Sequence, residues 1–173
     1  MTLHRLVLLR HAKAEPAGSV PDHDRPLALP GRRQATAVGA ALAAAGLAPA
    51  QVLCSSSLRT RQTWELARTA LSAADAAPAA VTVSDDLYDA SPDDLLALVQ
   101  GLPESAATAL VVGHEPTVSH VAAVLAGPGS DEAVTAQVRV GVPTAAWTVL
   151  ELDGPWESAA PGALRLVHLD RPA

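Results

Sequence analysis

The sequence predicts an α/β fold with three layers, in which helices cover both faces of a mostly parallel central sheet and an antiparallel hairpin forms one edge. Short apolar runs alternate with longer segments of helical spacing, which is the pattern of β-α units. Two alternating segments near the end of the chain are joined by a loop, which is typical of a hairpin. The length of 173 residues suits one core, so we expect a single domain over residues 1–173.

The first half of the chain has a regular β-α order. Residues 4–9 are apolar almost throughout, as expected of a central strand covered on both faces. Pro30 and Gly31 open a helix that Gly46 closes, and residues 55–57, all serine, supply an N-cap for the next helix. The predicted elements are strand 4–9, a polar connection 12–29, helix 30–45, strand 51–54, helix 58–71 and a linker 73–80.

The second half continues this order and ends on the hairpin. Ser91 caps a helix that begins at Pro92, and residues 109–112 form another buried strand. Residues 127–143 show no clear period, so we expect an irregular segment with a strand around residues 138–142. The other predicted elements are strand 81–83, helix 92–102, strand 109–112, helix 116–126 and the hairpin strands 146–152 and 163–169.

Composition narrows the choice of partner and compartment. No apolar run approaches the roughly 18 residues that cross a membrane, and the first residues lack the pattern of a signal peptide, so we expect a cytoplasmic protein. A net charge of −6 argues against nucleic acid or an anionic membrane as a partner. An anionic substrate must therefore be held by local positive charge. The single cysteine, Cys54, excludes an internal disulfide.

Charged side chains stand at three junctions between a strand and a helix. These are Arg10 with His11, Arg59 with Arg61, and His114. The carboxyl ends of parallel strands meet at one edge of a sheet, where ligands bind, so these groups are expected to converge. Arginines in the first turn of a helix face its positive end, which a bound phosphate would compensate. The pattern therefore indicates phosphate chemistry.

A metal site is the competing use of the histidines. His114 and His120 are six residues apart, or about 120° around a helix, whereas a zinc helix needs a four-residue spacing. Asp22, His23 and Asp24 have the residue types that bind a cation, but such clusters are usually solvated turns. We therefore expect no metal and no other cofactor.

The three junctions resemble the motifs of the histidine phosphatase superfamily, the phosphoglycerate-mutase-like group, and above all its short branch related to the phosphohistidine phosphatase SixA. Residues 9–12, Leu-Arg-His-Ala, correspond to the Arg-His-Gly signature, with Ala12 in place of the usual glycine. Residues 55–63 correspond to the second-arginine motif, and residues 112–114, Val-Gly-His, to the second-histidine motif. The resemblance covers most of the chain.

The resemblance implies a role for each of these side chains. His11 would be the nucleophile that forms a phosphohistidine intermediate. Arg10, Arg59 and a protonated His114 would hold the phosphate oxygens as charge develops. No metal is needed for this reaction.

The general acid is less clear from the resemblance. In mutase-type relatives a glutamate in a Leu-x-Glu context donates the proton, and residues 87–89, Leu-Tyr-Asp, are the nearest match. This makes Asp89 the candidate acid, although it also fits a solvated loop, and Glu15 and Glu115 are weaker candidates. Because an imidazole leaving group depends less on an acid than an alkoxide does, this ambiguity favours a phosphohistidine substrate.

Three functions remain open at this point. The expected one is a metal-independent phosphatase for phosphohistidine on a protein partner. The alternatives are a phosphomonoesterase for a small phosphorylated metabolite, such as a sugar phosphate or nucleotide, and a non-catalytic module that binds phosphate in signalling. Since binding alone would not require a nucleophile, the two enzymes are preferred to the binding module.

Overall fold

The computed structural model describes residues 2–172 and has six strands in one sheet. The strands are β1 (Leu3–Arg10), β2 (Gln51–Ser55), β3 (Ala80–Ser84), β4 (Thr108–Gly113), β5 (Trp147–Asp153) and β6 (Arg165–Asp170). The helices are α1 (Leu29–Ala44), α2 (Leu58–Ala73), α3 (Pro92–Gln100), α4 (Thr117–Leu125) and α5 (Glu132–Val140). Short 3-10 turns occupy Asp22–Asp24 and Trp156–Ser158. In the part of the chain that the structure describes, no helix has the length and apolar character to cross a membrane.

The sheet has the order β3-β2-β4-β1-β5-β6. The first four strands of this order run parallel, β5 is antiparallel to β1, and β6 is antiparallel to β5. This confirms the predicted mostly parallel sheet with an antiparallel edge hairpin. Since β2, β4 and β1 are neighbours, their carboxyl ends lie side by side, and Arg10 pairs with Gly113 across the ends of β1 and β4.

Helices cover both faces of the sheet, which confirms the three layers. Successive side chains of a strand point to opposite faces. Accordingly, Leu6 and Leu8 of β1 belong to one apolar cluster, to which α3, α4 and α5 contribute. Val7 and Leu9 belong to a second cluster, to which α1 and α2 contribute. All four side chains are fully buried, so β1 is the centre of both cores.

Residues 127–143 differ from the sequence prediction. An irregular segment with a strand at 138–142 was expected, and this was wrong because α5 forms there. The side chain of Asp131 accepts a hydrogen bond from the backbone N–H of Val134 and so caps the helix. Val138 is the only buried residue of α5, so the apolar period was too weak to indicate a helix. The other predicted elements agree with the structure to within one or two residues.

Gly39 lies where α1 and α2 pack together most closely. A Cβ at this position would stand 2.1 Å from the backbone oxygen of Ala67 in α2, which cannot yield without moving the helix. We therefore expect Gly39→Ala to lower the free energy of unfolding by at least about 1 kcal/mol, despite the better helix propensity of alanine. Urea denaturation followed by circular dichroism measures this change.

Gly101→Ala is the matched control for this packing. The nearest atom to a Cβ at Gly101 lies at 3.6 Å, which is an ordinary contact, and the backbone φ is −84°. The control is expected to change the unfolding free energy by no more than about 0.5 kcal/mol. Equal stability of the two variants would contradict the close approach of α1 and α2.

Candidate active site

The carboxyl ends of β1, β4 and β2 bring together the groups that the sequence places at three separate junctions. His11 directly follows β1, His114 directly follows β4, and Arg59 lies in the first turn of α2, just after β2. The ring centroids of His11 and His114 are 5.3 Å apart. Nη2 of Arg59 lies 3.3 Å from Nδ1 of His114. The structure therefore unites both histidines and Arg59 in one site.

The main chain around His11 is held by several hydrogen bonds. The N–H of His11 donates to the carbonyl of Gly113 at 3.0 Å, and its own carbonyl accepts from the N–H of Ala145 at 3.1 Å. The N–H of Ala12 donates to Oγ1 of Thr63 at 3.0 Å. Ala12 is fully buried and has no positive φ, so alanine fits the position of the usual glycine without backbone strain. The His11 ring is thus carried by a fixed backbone.

The imidazole of His11 is fixed by its own chain neighbour. Nδ1 lies 2.8 Å from the carbonyl oxygen of Ala12. A carbonyl can only accept a hydrogen bond, so Nδ1 carries the proton and Nε2 of the neutral ring keeps a free lone pair. Nε2 is therefore the ring atom whose lone pair is available to form a bond.

His11 is neutral at physiological pH. Burial is the largest cause that lowers its pKa, to about 4, and the charges of Arg59, Arg10 and Arg25 act in the same direction. The hydrogen bond to Ala12 opposes this shift. Because a protonated imidazole has no lone pair to offer, the low pKa keeps the ring in the reactive form.

His114 is also neutral in this structure, and its expected protonation during phosphoryl transfer stays a prediction. The guanidinium of Arg59 can only donate, so Nδ1 of His114 accepts from it and Nε2–H donates to Oγ of Ser55 at 2.8 Å. Burial is the largest cause that lowers the pKa of His114 to about 3, and the neighbouring His11 and Arg59 act in the same direction. The sequence motif gave the position of this histidine but not the cationic surroundings that decide its charge.

Arg59 is almost fully buried and is bound to Asp22. Its Nη1 donates to the Asp22 carbonyl at 2.6 Å, and its Nη2 donates to Asp22 Oδ2 at 2.9 Å. The Asp22 carboxylate also accepts from the hydroxyl of Tyr88 at 2.6 Å and from Nε of Arg25 at 2.9 Å. These bonds, that of Tyr88 first, hold the pKa of Asp22 far below its usual range. Asp22 is therefore an ionised partner of Arg59.

Residues 87–89, which include the candidate acid Asp89, contribute the side chain of Tyr88 to the site. The ring of Tyr88 lies edge-on to His114 with a centroid distance of 5.5 Å, and Cζ of Arg59 lies 5.9 Å from the same ring. Asp89 is exposed and lines a surface pocket with Asp85, Asp86 and Asp94. Within residues 2–172, no hydrogen bond or ion pair joins Asp89 to the histidines. Its role as an acid stays a prediction.

The structure gives the carboxylates of the two weaker acid candidates no hydrogen bond to the histidines within residues 2–172. Both oxygens of Glu115 accept hydrogen bonds, Oε1 from the N–H of Val142 at 2.9 Å and Oε2 from the hydroxyl of Ser119. Glu15 is exposed, and its backbone carbonyl accepts from Arg25. Neither carboxylate contacts His11 or His114 through a hydrogen bond of the described chain.

Sequence reasoning missed several residues that build the site. Ser55 was given only a capping role, yet it bonds His114, and Thr63 was given no role beyond its place in the motif, yet it holds the N–H of Ala12. Thr63 also donates to the carbonyl of Arg59, one helical turn earlier. Both lie inside the motif at residues 55–63, so their spacing from Arg59 was the available signal. Tyr88 had no such signal.

The turn Asp22–Asp24, whose residue types are those that bind a cation, makes other contacts. Asp22 binds Arg59 and Arg25, and Nε2 of His23 lies 2.9 Å from Oγ of Ser56. Among residues 2–172, no group of three or more His, Cys, Asp or Glu side chains is arranged to hold a metal ion.

Two buried donors of the site lack a protein partner. Nε of Arg10 and Nε of Arg59 are both buried and make no hydrogen bond within the described chain. A buried donor without an acceptor costs about 1–3 kcal/mol, and more when it is charged. An oxyanion is the acceptor that guanidinium groups bind best. Since the charges of both arginines act on His11, an oxyanion fits the charge of this site.

Comparison with known proteins relates the chain to one superfamily. A family model described as the histidine phosphatase superfamily, branch 1, matches residues 6–95. Rv1276c of Mycobacterium tuberculosis, a protein named as uncharacterized, is 39% identical over 165 residues, which cover 95% of this chain and 99% of that protein.

Two solved structures are similar to this chain over nearly their full length. One is assigned as a SixA phosphohistidine phosphatase from Nakamurella multipartitia. It has a TM-score of 0.84 and 34% identity, and the match covers 100% of this chain and 98% of that chain. The other is the protein histidine phosphatase SixA complexed with tungstate, with a TM-score of 0.77, 25% identity and 97% coverage of both chains.

The protonation of His11 is testable by NMR. We expect the His11 ring, identified as the signal missing from His11→Ala, to stay neutral well below pH 6.5 and to take up a second proton only near pH 4. Because the unfolded chain takes up this proton at about pH 6.5, the free energy of unfolding is expected to fall as the pH drops between these values. A midpoint near 6.5 for His11 would contradict the buried, neutral nucleophile.

Proposed function

The chain belongs to the histidine phosphatase superfamily and is a hydrolase of the phosphatase type, and from this premise we propose that it removes phosphate from phosphohistidine on a protein, through an intermediate on His11. One observation carries the proposal. The hydrogen bond from Nδ1 of His11 to the Ala12 carbonyl leaves Nε2 as a free lone pair in a buried, neutral ring.

Arg10 and Arg59 are the proposed phosphate-binding residues. Both lower the pKa of His11, so their charges act at the nucleophile, and each has a buried Nε–H without a partner in the described chain. Their charges oppose the negative charge that develops on the equatorial oxygens during phosphoryl transfer. The tungstate complex of the similar SixA protein supports an oxyanion site, since tungstate is a tetrahedral oxyanion.

His114 is the proposed proton carrier for the bound phosphate. Its ring is neutral in this structure because burial lowers its pKa, and the charges of Arg59 and Arg10 act in the same direction. A phosphate dianion beside the ring reverses that balance, because a nearby negative charge favours the protonated imidazole. His114 can then take up a proton as substrate binds and donate it to a phosphate oxygen.

The proposed reaction has two displacement steps. In the first, the lone pair on Nε2 of His11 forms a bond to phosphorus while the P–N bond of the substrate breaks, and the released imidazole keeps the electron pair and takes a proton from solvent. In the second, water attacks phosphorus and releases one proton to solvent, the N–P bond to His11 breaks, and its electron pair returns to Nε2. The products are inorganic phosphate and an unmodified histidine on the partner protein.

The absence of a placed acid favours phosphohistidine over an ester. Within the described chain, Asp89, Glu15 and Glu115 make no hydrogen bond to either histidine of the site. An alkoxide leaving group depends on a general acid for about 10²- to 10⁴-fold in rate, whereas an imidazole depends on it less. For an ester substrate Asp89 remains the candidate acid, and it would have to approach from the surface.

Carboxylates near the site also disfavour small anionic metabolites. Asp22 binds Arg59 directly, while Asp24 and Asp85 flank the ring of His23, at 3.3 Å and 3.9 Å from its nitrogens. Both of these outer carboxylates are exposed, and the chain carries a net charge of −6. A field of this sign repels sugar phosphates and nucleotides, while a protein that presents a phosphohistidine among basic residues is attracted.

The first expected outcome concerns the substrate. In excess chelator, the protein should release phosphate from a phosphohistidine-bearing protein domain with a kcat/KM at least about 10²-fold above that for a small alkyl phosphomonoester. Phosphate release from both substrates, measured side by side, tests this. Preference for the ester would indicate a metabolite phosphatase, and no release from either would indicate a binding module.

The second expected outcome concerns the covalent intermediate. Brief mixing with a ³²P-labelled phosphohistidine domain, followed by alkaline denaturation, should leave label on the wild-type chain and none on His11→Ala, because the attacking nitrogen is lost. His168→Ala is the control, since this histidine is exposed on β6, which is an edge strand of the sheet. Persistent labelling of His11→Ala would identify a different nucleophile.

A further inference from the structure

We infer that Glu115 is a positioning residue for Arg10, acting through the backbone of Val142. Its carboxylate accepts the N–H of Val142, and the carbonyl of Val142 in turn accepts from the Arg10 guanidinium. The inference rests on the proposed function, because it assigns how one phosphate-binding arginine is oriented. It assigns a role to the Glu115 carboxylate, which follows His114 directly in the chain but makes no hydrogen bond to the histidines within residues 2–172.

Arg10 is held by residues 142–146, which cross the end of β1. Its backbone N–H donates to the carbonyl of Ala146 at 3.0 Å, and its carbonyl accepts from the N–H of Ala145 at 3.2 Å. Its side chain is held at one point, where Nη1 donates to the carbonyl of Val142 at 2.8 Å. Within the described chain, Nε of Arg10 has no partner. The direction of the guanidinium therefore depends on where the Val142 carbonyl lies.

The position of Val142 depends in turn on Glu115. Val142 follows Gly141, whose φ of +118° takes the chain out of α5. The next residue is Pro143, which has no N–H, so the Val142 N–H is the donor that can anchor this turn. It donates to Oε1 of Glu115 at 2.9 Å, and Val142 is only 2% exposed.

The carboxylate of Glu115 is itself fixed. Its Oε2 accepts from the hydroxyl of Ser119, in the first turn of α4, and Ser119 is buried. Glu115 thus links α4 to the turn that holds Arg10. Because a small displacement of a positioned group can cost about 10²-fold in rate, loss of this link should act on phosphate binding rather than only on stability.

Two conservative variants separate reach from charge. Glu115→Gln loses the charge but keeps an oxygen that can accept from Val142 and an amide that can donate to Ser119. Glu115→Asp keeps the charge but is one methylene too short to reach Val142 from the same backbone. Tungstate affinity, measured by calorimetry without any turnover, is expected to stay within about 3-fold of wild type for Gln and to fall at least about 10-fold for Asp.

A double-mutant cycle shows whether the effect passes through Arg10. In the Arg10→Ala background, Glu115→Asp should change tungstate affinity by less than about 2-fold, because the group that it positions is already gone. Additive losses would overturn the inference. Thermal unfolding of each variant confirms that the native fold is retained, and Glu115→Met, which keeps the length but lacks both acceptor oxygens, serves as a second disruptive variant.

The outcomes distinguish this inference from the proposed function. Wild-type protein that binds no tungstate would overturn the oxyanion site and the inference with it. Wild-type protein that binds tungstate, together with unchanged affinity in both Glu115→Asp and Glu115→Met, would overturn the inference alone. A loss in Glu115→Gln as large as or larger than that in Glu115→Asp would show that affinity does not follow the reach of the side chain, which also contradicts positioning through the Val142 backbone.

Discussion

The hydrogen bond between Nδ1 of His11 and the carbonyl of Ala12 is the interaction on which the chemistry of the site depends. It fixes the ring orientation and the tautomer together, because the only proton of a neutral imidazole is then committed to Nδ1. The bond can do this because the backbone of residues 11 and 12 is tied to β4, to Ala145 and to Thr63. The central sheet thus sets the position of a single nitrogen atom.

The second constraint is the burial of the two histidines beside a buried arginine. Arg59 is 5% exposed, and His11 and His114 are also largely buried. Burial disfavours the charged form of each imidazole, and the neighbouring arginine charges act in the same direction, which keeps both histidines neutral. Asp22 balances part of this charge through Arg59. The same excess of positive charge that suppresses histidine protonation is what makes the site attractive to a phosphate dianion.

The sequence was sufficient for the sheet and for the meeting of the strand ends. Apolar runs of strand length gave β1, β2 and β4, and parallel strands bring His11, Arg59 and His114 to one edge by geometry alone. It was insufficient where contacts between distant segments decide the outcome. The charge of His114 depends on burial and on Arg59. Tyr88 faces His114 from the loop before α3, and its hydroxyl donates to Asp22. The helix α5 was missed because only Val138 marks its buried face.

The most direct test of the central claim is the identity of the phosphorylated ring nitrogen. The phosphoenzyme can be trapped by rapid denaturation in alkali and the isomer identified by ³¹P–¹H correlation NMR on the ¹⁵N-labelled chain. The arrangement of His11 and Ala12 predicts phosphorus on Nε2 of His11 and no phosphorus on Nδ1. Phosphate on Nδ1 of His11, or on any other residue, would contradict the account.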